Sequence, residues 1–433
     1  MDTTKQTPAD RPRRIAVIGS GIAGVASAWL LGGKHEVTLF EKNDYLGGHT
    51  HTHRFEDQGH PVSVDTGFIV FNRPNYPHLT GLLSHLGIAT QPTQMSFGVS
   101  LDQGRLEYGG SDLSTLFAQK INLIRPRFIT MVRDILRFNR EGKAALRDPA
   151  FPKDESLGDF LERRRFGVGL RDDYLLPMAA AIWSCPTEVM LEFPALSFLQ
   201  FFENHGLMNV NDRPQWETIK GGSRSYIDAM IKDVRFNYRL NCPINRVIRE
   251  PDGIYLPETS ERFDACIFAG HADQSLAALD EADAQEQGVL GAFRFQENQA
   301  YLHHDKDLMP RRRAVWSSWN YLGQKGASGH RAVAVTYWMN HLQQLDTPSD
   351  WLVTLNPFQP PRAELIRAKI TYHHPVFDAK TSRAQQQLPQ LQGHRNCYYA
   401  GAWTGYGFHE DGLRSAVNIA LAFGITPPWQ ADK

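Results

Sequence analysis

Between Arg13 and Glu41 the spacing of apolar residues changes from continuous to helical and back. Ile15-Ala16-Val17-Ile18 is an unbroken apolar run, as in a strand buried on both faces. A glycine cluster follows, then the apolar stretch 22–31, about three helical turns long, and a second run, Val37–Phe40, closed by Glu41. Strand, helix and strand in that order predict a parallel βαβ unit. Residues 59–72 alternate β-branched with small or polar groups and predict strands broken at Gly67. Residues 79–140 are predicted to be mostly helical, with 121–140 apolar on one side. The helical pattern, with large apolar groups, continues through 156–205.

The pattern changes at 219, where a glycine pair opens a helix through Lys232. Strand-like pieces follow at 239–250 and 253–256 around a Pro-Asp-Gly turn, and then an apolar run at 263–270. Residues 290–378 are strand-rich. A strand near Cys397–Tyr399, a glycine turn and a terminal helix led in by Phe408–Ala416 close the pattern. Because α/β character returns at the start, middle and end, one nucleotide-type domain built from discontinuous segments is predicted rather than tandem domains.

Composition narrows the classes. The 433 residues suffice for two or three domains. Lys+Arg number 46 against Asp+Glu 47, which removes a global electrostatic case for nucleic acid. No apolar run reaches the length of a membrane-spanning helix. The polar start, MDTTKQTPADRPRR, lacks a signal core and predicts a mobile arm over 1–12. Cys185, Cys242, Cys266 and Cys397 are scattered without metal-ligand spacing, so buried free thiols and a reducing cytoplasm are expected.

The glycine cluster carries the first chemistry. Gly19-Ser20-Gly21-Ile22-Ala23-Gly24 is a complete G-x-G-x-x-G between strand and helix. Gly19 permits the sharp turn, Gly21 leaves the backbone open to a pyrophosphate, and Gly24 lets helix and strand pack closely. The helix start offers unpaired N–H groups to the phosphates. Glu41, about 20 residues on, is placed to accept ribose hydroxyls. Lys42 follows, and Gly47-Gly48-His49 adds a second close backbone approach on the side of the cofactor's far half.

Four blocks in order resemble the flavin-dependent amine oxidase, protoporphyrinogen oxidase and carotenoid desaturase superfamily. They are IAVIGSGIAGVASAWLL with VTLFEKNDYLGGH, then VDTGFIVF, then IKGGSRSYIDAM with RLNCPINRVIRE, and finally YYAGAWTGYGFHEDGLRSA. The chain is more specifically similar to bacterial FAD/NAD-binding oxidoreductases often encoded beside cyclopropane-fatty-acid synthase-like methyltransferases, through GGHTHTHRF, VDTGFIVFNRPNYPHL, DYLLPMAAAIWS, RPQWETIKGGSRSY, PRRRAVWSSWNY and GYGFHEDGLRSA. The resemblance implies FAD, held without a covalent link, in an α/β fold. Its Rossmann-type, amine oxidase-like FAD-binding domain would comprise 13–78, 219–285 and 392–433. A discontinuous α+β substrate domain would comprise 79–218 and 286–391, with a helical part at 79–205. It implies that Gly67 and Phe68 lie near the flavin, that the backbone at Ile244 meets the adenine, and that the last helix points at the flavin ring. Many relatives carry an acid after the last block's glycine. Here Ala402 follows Gly401, which shifts the work to backbone groups and Asp411.

On that frame, the N–H groups of Gly412 and Leu413 are expected to stabilise negative charge at the flavin's edge. Trp403, Tyr406, Phe408 and His409 are candidates for the wall of the substrate space. His409 and Tyr406 are the catalytic candidates, His409 because an imidazole titrates near neutral pH. Trp316, Trp319, Tyr337 and Trp338 are candidates for the same wall. His49, His51 and His53 alternate, but no further ligand completes a coordination set, so no metal site is predicted and His49 is assigned to the cofactor. Arg125, Arg127, Arg133, Arg137 and Arg140 form a basic stripe suited to the anionic inner face of a membrane.

The function expected is net hydride removal from a hydrophobic small molecule or lipid acyl chain, with desaturation of unsaturated or methyl-branched acyl groups as the reaction the resemblance suggests. The alternatives are a flavin amine oxidase and a non-catalytic flavin-binding partner of a lipid methyltransferase.

Overall fold

Continuous apolar runs must be covered on both faces, and the computed structural model, which describes residues 11–183, 190–209, 214–325 and 331–430, shows how this is done. Strand β1 (Arg14–Ile18) is the middle strand of a five-stranded parallel sheet. Strand β2 (Glu36–Phe40) and then Asn237–Arg239 lie on one side. Ala265–Phe268 and then Cys397–Tyr399 lie on the other. Ile15 pairs with both Val37 and Ala265. Helix α1 (Ile22–Leu31) joins β1 to β2 and is buried along its whole length, packed among residues of the sheet and of the terminal helix His409–Ala422. Trp29 closes its far end. Its Nε1 donates to Asp233 at 2.9 Å, and the Arg235 guanidinium lies 4.3 Å from its ring.

A second, seven-stranded sheet runs in the order Ile366–Val376, Arg294–His303, Leu352–Leu355, Arg331–Trp338, Trp319–Lys325, Phe97–Leu101 and Leu106–Gly109. Its last two strands correct the helical reading of 79–140, as does Thr90–Thr93, which pairs with Trp216–Ile219. These strands are only four or five residues long and are broken by proline and glycine, so their period-2 signal is short. The hairpin between them turns through Asp102, Gln103 and Gly104 at positive φ. Buried Glu107 anchors it, accepting from Ser100 Oγ and Arg311 N, each at 2.8 Å.

The helical lobe is real but begins later. Helices Pro126–Arg147, Leu157–Arg163 and Ala195–Asn204 share a core around Phe138, Phe160, Phe198 and Phe202. Most of the expected arm 1–12, and Cys185, lie outside the described residues. Cys242, Cys266 and Cys397 are free thiols. Among the described residues no helix is long and apolar enough to cross a membrane.

Candidate functional site

The β1–α1 turn opens into a cavity of about 1320 Å³. Ordinary small-molecule sites hold ~300–1,000 Å³, so this one has room for more than one occupant. At its nucleotide end Gly19 turns the chain at φ +98°, and a Cβ on Gly21 would stand in open space. No side chain caps the start of α1, and its first turn holds no acid. Its N–H groups therefore face the cavity with no anion of the chain's own, which fits a bound pyrophosphate. Gly24 does not line the cavity. A Cβ there would lie 1.8 Å from Gly19 O, so this glycine lets helix and strand approach.

Glu41 is buried. Its Oε2 accepts from Ser20 N at 2.9 Å and Ser20 Oγ at 2.6 Å, and its Oε1 accepts from Asn43 N at 2.9 Å. A carboxylate has about four acceptor sites, so Oε1 retains one, which fits a ribose hydroxyl. Lys42 and Ile244 line the same end. Gly47 N–H donates to Ser20 O at 2.9 Å, and Gly48 packs so close that its Cβ would stand 3.1 Å from Gly21 Cα. These features fit FAD. Cys242 is the described cysteine on this cavity, and it stands beside Pro243 and Ile244 rather than at the other end. Glu41→Ala should weaken FAD binding by about 1–3 kcal/mol, the loss of a charge-assisted hydrogen bond. That is roughly five- to 150-fold in Kd by fluorescence titration of apoprotein. An unchanged Kd would remove Glu41 from the ribose contact.

At the other end Gly67, Phe68, Gly401, Ala402, Trp403, Tyr406, Phe408 and His409 converge with His49. Gly67 packs so tightly that a Cβ would meet His49 O at 2.2 Å. The His409 ring stacks on Phe68 with centroids 3.8 Å apart, and its Nε2 lies 2.7 Å from Tyr226 Oη. Tyr226 Oη in turn meets Thr50 Oγ1 at 2.6 Å. His49 stacks on Tyr372 at 4.6 Å and lies near His374. Tyr406 lines this end and is 41% exposed. Trp319 and Tyr337 join the wall, whereas Trp316 and Trp338 do not, being taken up by the Arg313 guanidinium.

Three expectations for the last block are corrected. Gly412 N–H is spent on Phe408 O at 3.2 Å within the helix, and Leu413 is fully buried in the core. The helix starts at His409, one turn earlier than those donors required. Asp411 faces away from the cavity and shapes the preceding loop. Its carboxylate accepts from Tyr406 N and Phe408 N at 3.0 Å and from Arg414 at 3.0 Å. Glu410, which no sequence motif singled out, accepts from His78 N and Leu79 N, capping helix Pro77–His85.

His409 is also corrected as a neutral-pH acid. Burial, and then the charge of His49, push it down to about 3. Burial likewise holds His271 and His374 at about 3, and His49, His51, His205 and His303 at about 4. These imidazoles are neutral at pH 7. A group depressed from 6.5 contributes stability that is complete above pH 6.5 and lost as pH falls towards 4. Burial raises Asp65 to about 6 and Glu410 to about 7, and these act oppositely, losing their contribution as pH rises through those values. The histidines outnumber the two carboxylates. Lowering the pH from 7 to 5 should therefore depress Tm and release free FAD, read by calorimetry and by flavin fluorescence. A flat or rising Tm over that window would contradict neutral, buried imidazoles.

Sequence reasoning missed Asp65, a fully buried carboxylate at the junction of the lobes. It accepts from Ser223 N at 3.0 Å, Ser223 Oγ at 2.8 Å, Gln343 Nε2 at 2.8 Å and Thr52 Oγ1. Elsewhere the ligand atoms of Asp283, Glu286 and His394 lie within 4.8 Å of one another. Asp283 caps the helix Ala284–Leu290 and Glu286 holds Arg249 and Tyr399, so the group is accounted for as a cap.

The family profile described as "Flavin containing amine oxidoreductase" matches residues 22–289. The carotenoid phi-ring synthase of Streptomyces griseus is 28% identical over 285 residues, which is 59% of this chain and 52% of that one. The flavin-dependent L-tryptophan oxidase of Lentzea aerocolonigenes is 24% identical over 258 residues, 55% of this chain and 53% of that one. The matches thus span about half the length of these curated relatives. A CLA-producing fatty acid isomerase from P. acnes has a similar fold, with TM-score 0.67 and 17% identity over 97% of this chain and 100% of that one.

Proposed function

Because the chain belongs to the flavin containing amine oxidoreductase family, we propose that it is an FAD-dependent oxidoreductase whose substrate is a long apolar molecule, a fatty acyl chain. One observation carries this reading. The cavity continues from the aromatic end into the helical lobe between Phe97, Val132, Ile135, Met178, Ile182 and Leu207. Among the described residues that line it, the Lys, Arg, Asp and Glu side chains are Glu41 and Lys42, both at the nucleotide end. An uncharged chamber accepts an alkyl chain without stranding a charge, whereas a substrate carboxylate or ammonium would enter it unpaired.

Bound FAD supplies a two-electron acceptor. The chain's own residues hold and shield. Phe68 and His409 form one stacked wall, Trp403 closes the floor with its Nε1 donating to Gly270 O at 3.1 Å, and the neutral His409 keeps a hydrogen bond to Tyr226. The desaturation of unsaturated or methyl-branched acyl groups is the reaction proposed.

The matched L-tryptophan oxidase favours a second reading, amine oxidation. Anaerobic mixing separates the two. Acyl lipid or free fatty acid should bleach the flavin absorbance, and the product should carry one more double bond by mass spectrometry. Rapid bleaching by an amine, with none by acyl substrates, would replace the acyl reading. Acyl turnover without bleaching would indicate double-bond isomerisation. Tight flavin binding with no turnover of either class would leave a flavin-binding partner, as of a lipid methyltransferase.

A further inference from the structure

Six of the twelve large apolar side chains that the described residues expose fall between Leu113 and Leu136, on the helix Pro126–Arg147 and the stretch that leads into it. They are Leu113, Ile121, Leu123, Ile124, Ile129 and Leu136, with Leu113 at 74% and Ile124 at 73% exposure. We propose that this surface docks on an anionic lipid bilayer and that the cavity opens there. The helix Pro126–Arg147 presents Ile129, Arg133, Leu136 and Arg140 outward at helical spacing, aliphatic and cationic groups on one face.

Charge complementarity selects the occupant. From Leu113 to Arg140 the exposed or half-buried cations are Lys120, Arg125, Arg127, Arg133, Arg137 and Arg140. The acid in that span, Asp134, is buried and accepts from Gly167 N at 3.1 Å. Lys120, Arg133 and Arg140 form no ion pair with the described residues. Aliphatic groups flanked by free cations match the interface of a membrane with negative headgroups, where apolar insertion and surface potential add. A second copy of the same patch would place like charges face to face, as a two-fold contact pairs a surface with itself.

The patch also meets the cavity. Leu136 is 56% exposed and lines it, with Leu116, Val132 and Ile135 behind. An apolar molecule leaving the bilayer at Leu136 would reach the chamber without crossing water. Docking goes beyond the substrate reading and does not depend on it.

The test is co-sedimentation of the FAD-loaded protein with vesicles of phosphatidylcholine alone or mixed equally with phosphatidylglycerol. Binding to the mixed vesicles is expected, falling as salt is raised. It should weaken at least tenfold in the double variants Leu123→Asp/Ile124→Asp and Arg133→Glu/Arg140→Glu. Val234→Asp, at a site 82% exposed elsewhere on the molecule, should bind as the parent does. Retained flavin absorbance shows that each variant is folded. No vesicle binding, or equal binding by parent and double variants, overturns the proposal. So does a dimer in light scattering that Leu123→Asp/Ile124→Asp dissociates, which would assign the face to a second copy. Acyl-driven bleaching in detergent without vesicle binding sinks docking alone, and vesicle binding without acyl bleaching sinks the substrate reading alone.

Discussion

A Gly24→Val chain is expected to purify without flavin and to unfold at markedly lower urea than the parent. The new Cβ would stand 1.8 Å from Gly19 O, 2.9 Å from Gly19 C and 3.2 Å from Ala269 Cβ. Two of these atoms are backbone and cannot swing aside, so α1 must lift from the turn that its N-terminus completes. Overpacking a tight contact costs about 1–3 kcal/mol, and more where backbone must move. The lift also displaces the Ser20 and Gly21 N–H groups. Gly288→Ala is the matched control, since nothing lies within 4 Å of its Cβ and the residue is helical. It should keep the flavin and gain slightly in stability. Normal visible absorbance in Gly24→Val would mean that the turn is not the pyrophosphate site.

The second large effect is expected at Asp65. In Asp65→Leu, Ser223 N–H, Ser223 Oγ, Thr52 Oγ1 and Gln343 Nε2 lose their acceptor together in a fully buried place. Each buried donor left unmade costs about 1–3 kcal/mol. A total of ~4 kcal/mol or more is a large share of the roughly 5–15 kcal/mol that holds a typical fold. Asp65→Asn keeps one acceptor oxygen and should lose clearly less. Urea midpoints for the two variants decide the matter. Equal, small losses would mean that water replaces the carboxylate.

The nucleotide half of the site was legible because its chemistry is local. Apolar runs, glycines and Glu41 sit within one βαβ unit, whose fold brings Gly19, Gly21 and Glu41 to one end of the cavity and leaves Gly24 in the contact between helix and strand. What failed depended on tertiary partners. The start of the last helix was set one turn late because its cap is Asp411 folding back on the N–H groups of Tyr406 and Phe408, not a residue type that announces itself. Asp65 shows no pattern because its donors, Thr52, Ser223 and Gln343, come from three distant stretches. The histidines look titratable in sequence, and burial, followed by neighbouring imidazoles, removes their charge. The hairpin at 97–109 was hidden because four- and five-residue strands leave too few alternations to outweigh the helical run that follows.

The order of strands in the parallel sheet also sets a schedule for biosynthesis. Strand β1 leaves the ribosome early, but one of the sheet's two edge strands is Cys397–Tyr399. At ordinary translation speed the wait is on the order of half a minute. Throughout it the apolar flank of Ala265–Phe268 lacks its partner, and α1 lacks the helix His409–Ala422 that covers it. The nascent chain therefore cannot hold its cofactor in a finished site during synthesis, and an unpaired parallel edge is open to wrong partners meanwhile. Recovery of active protein should then depend on how fast residues 397–422 arrive after the earlier strands and on chaperone supply, more than on free flavin early in synthesis.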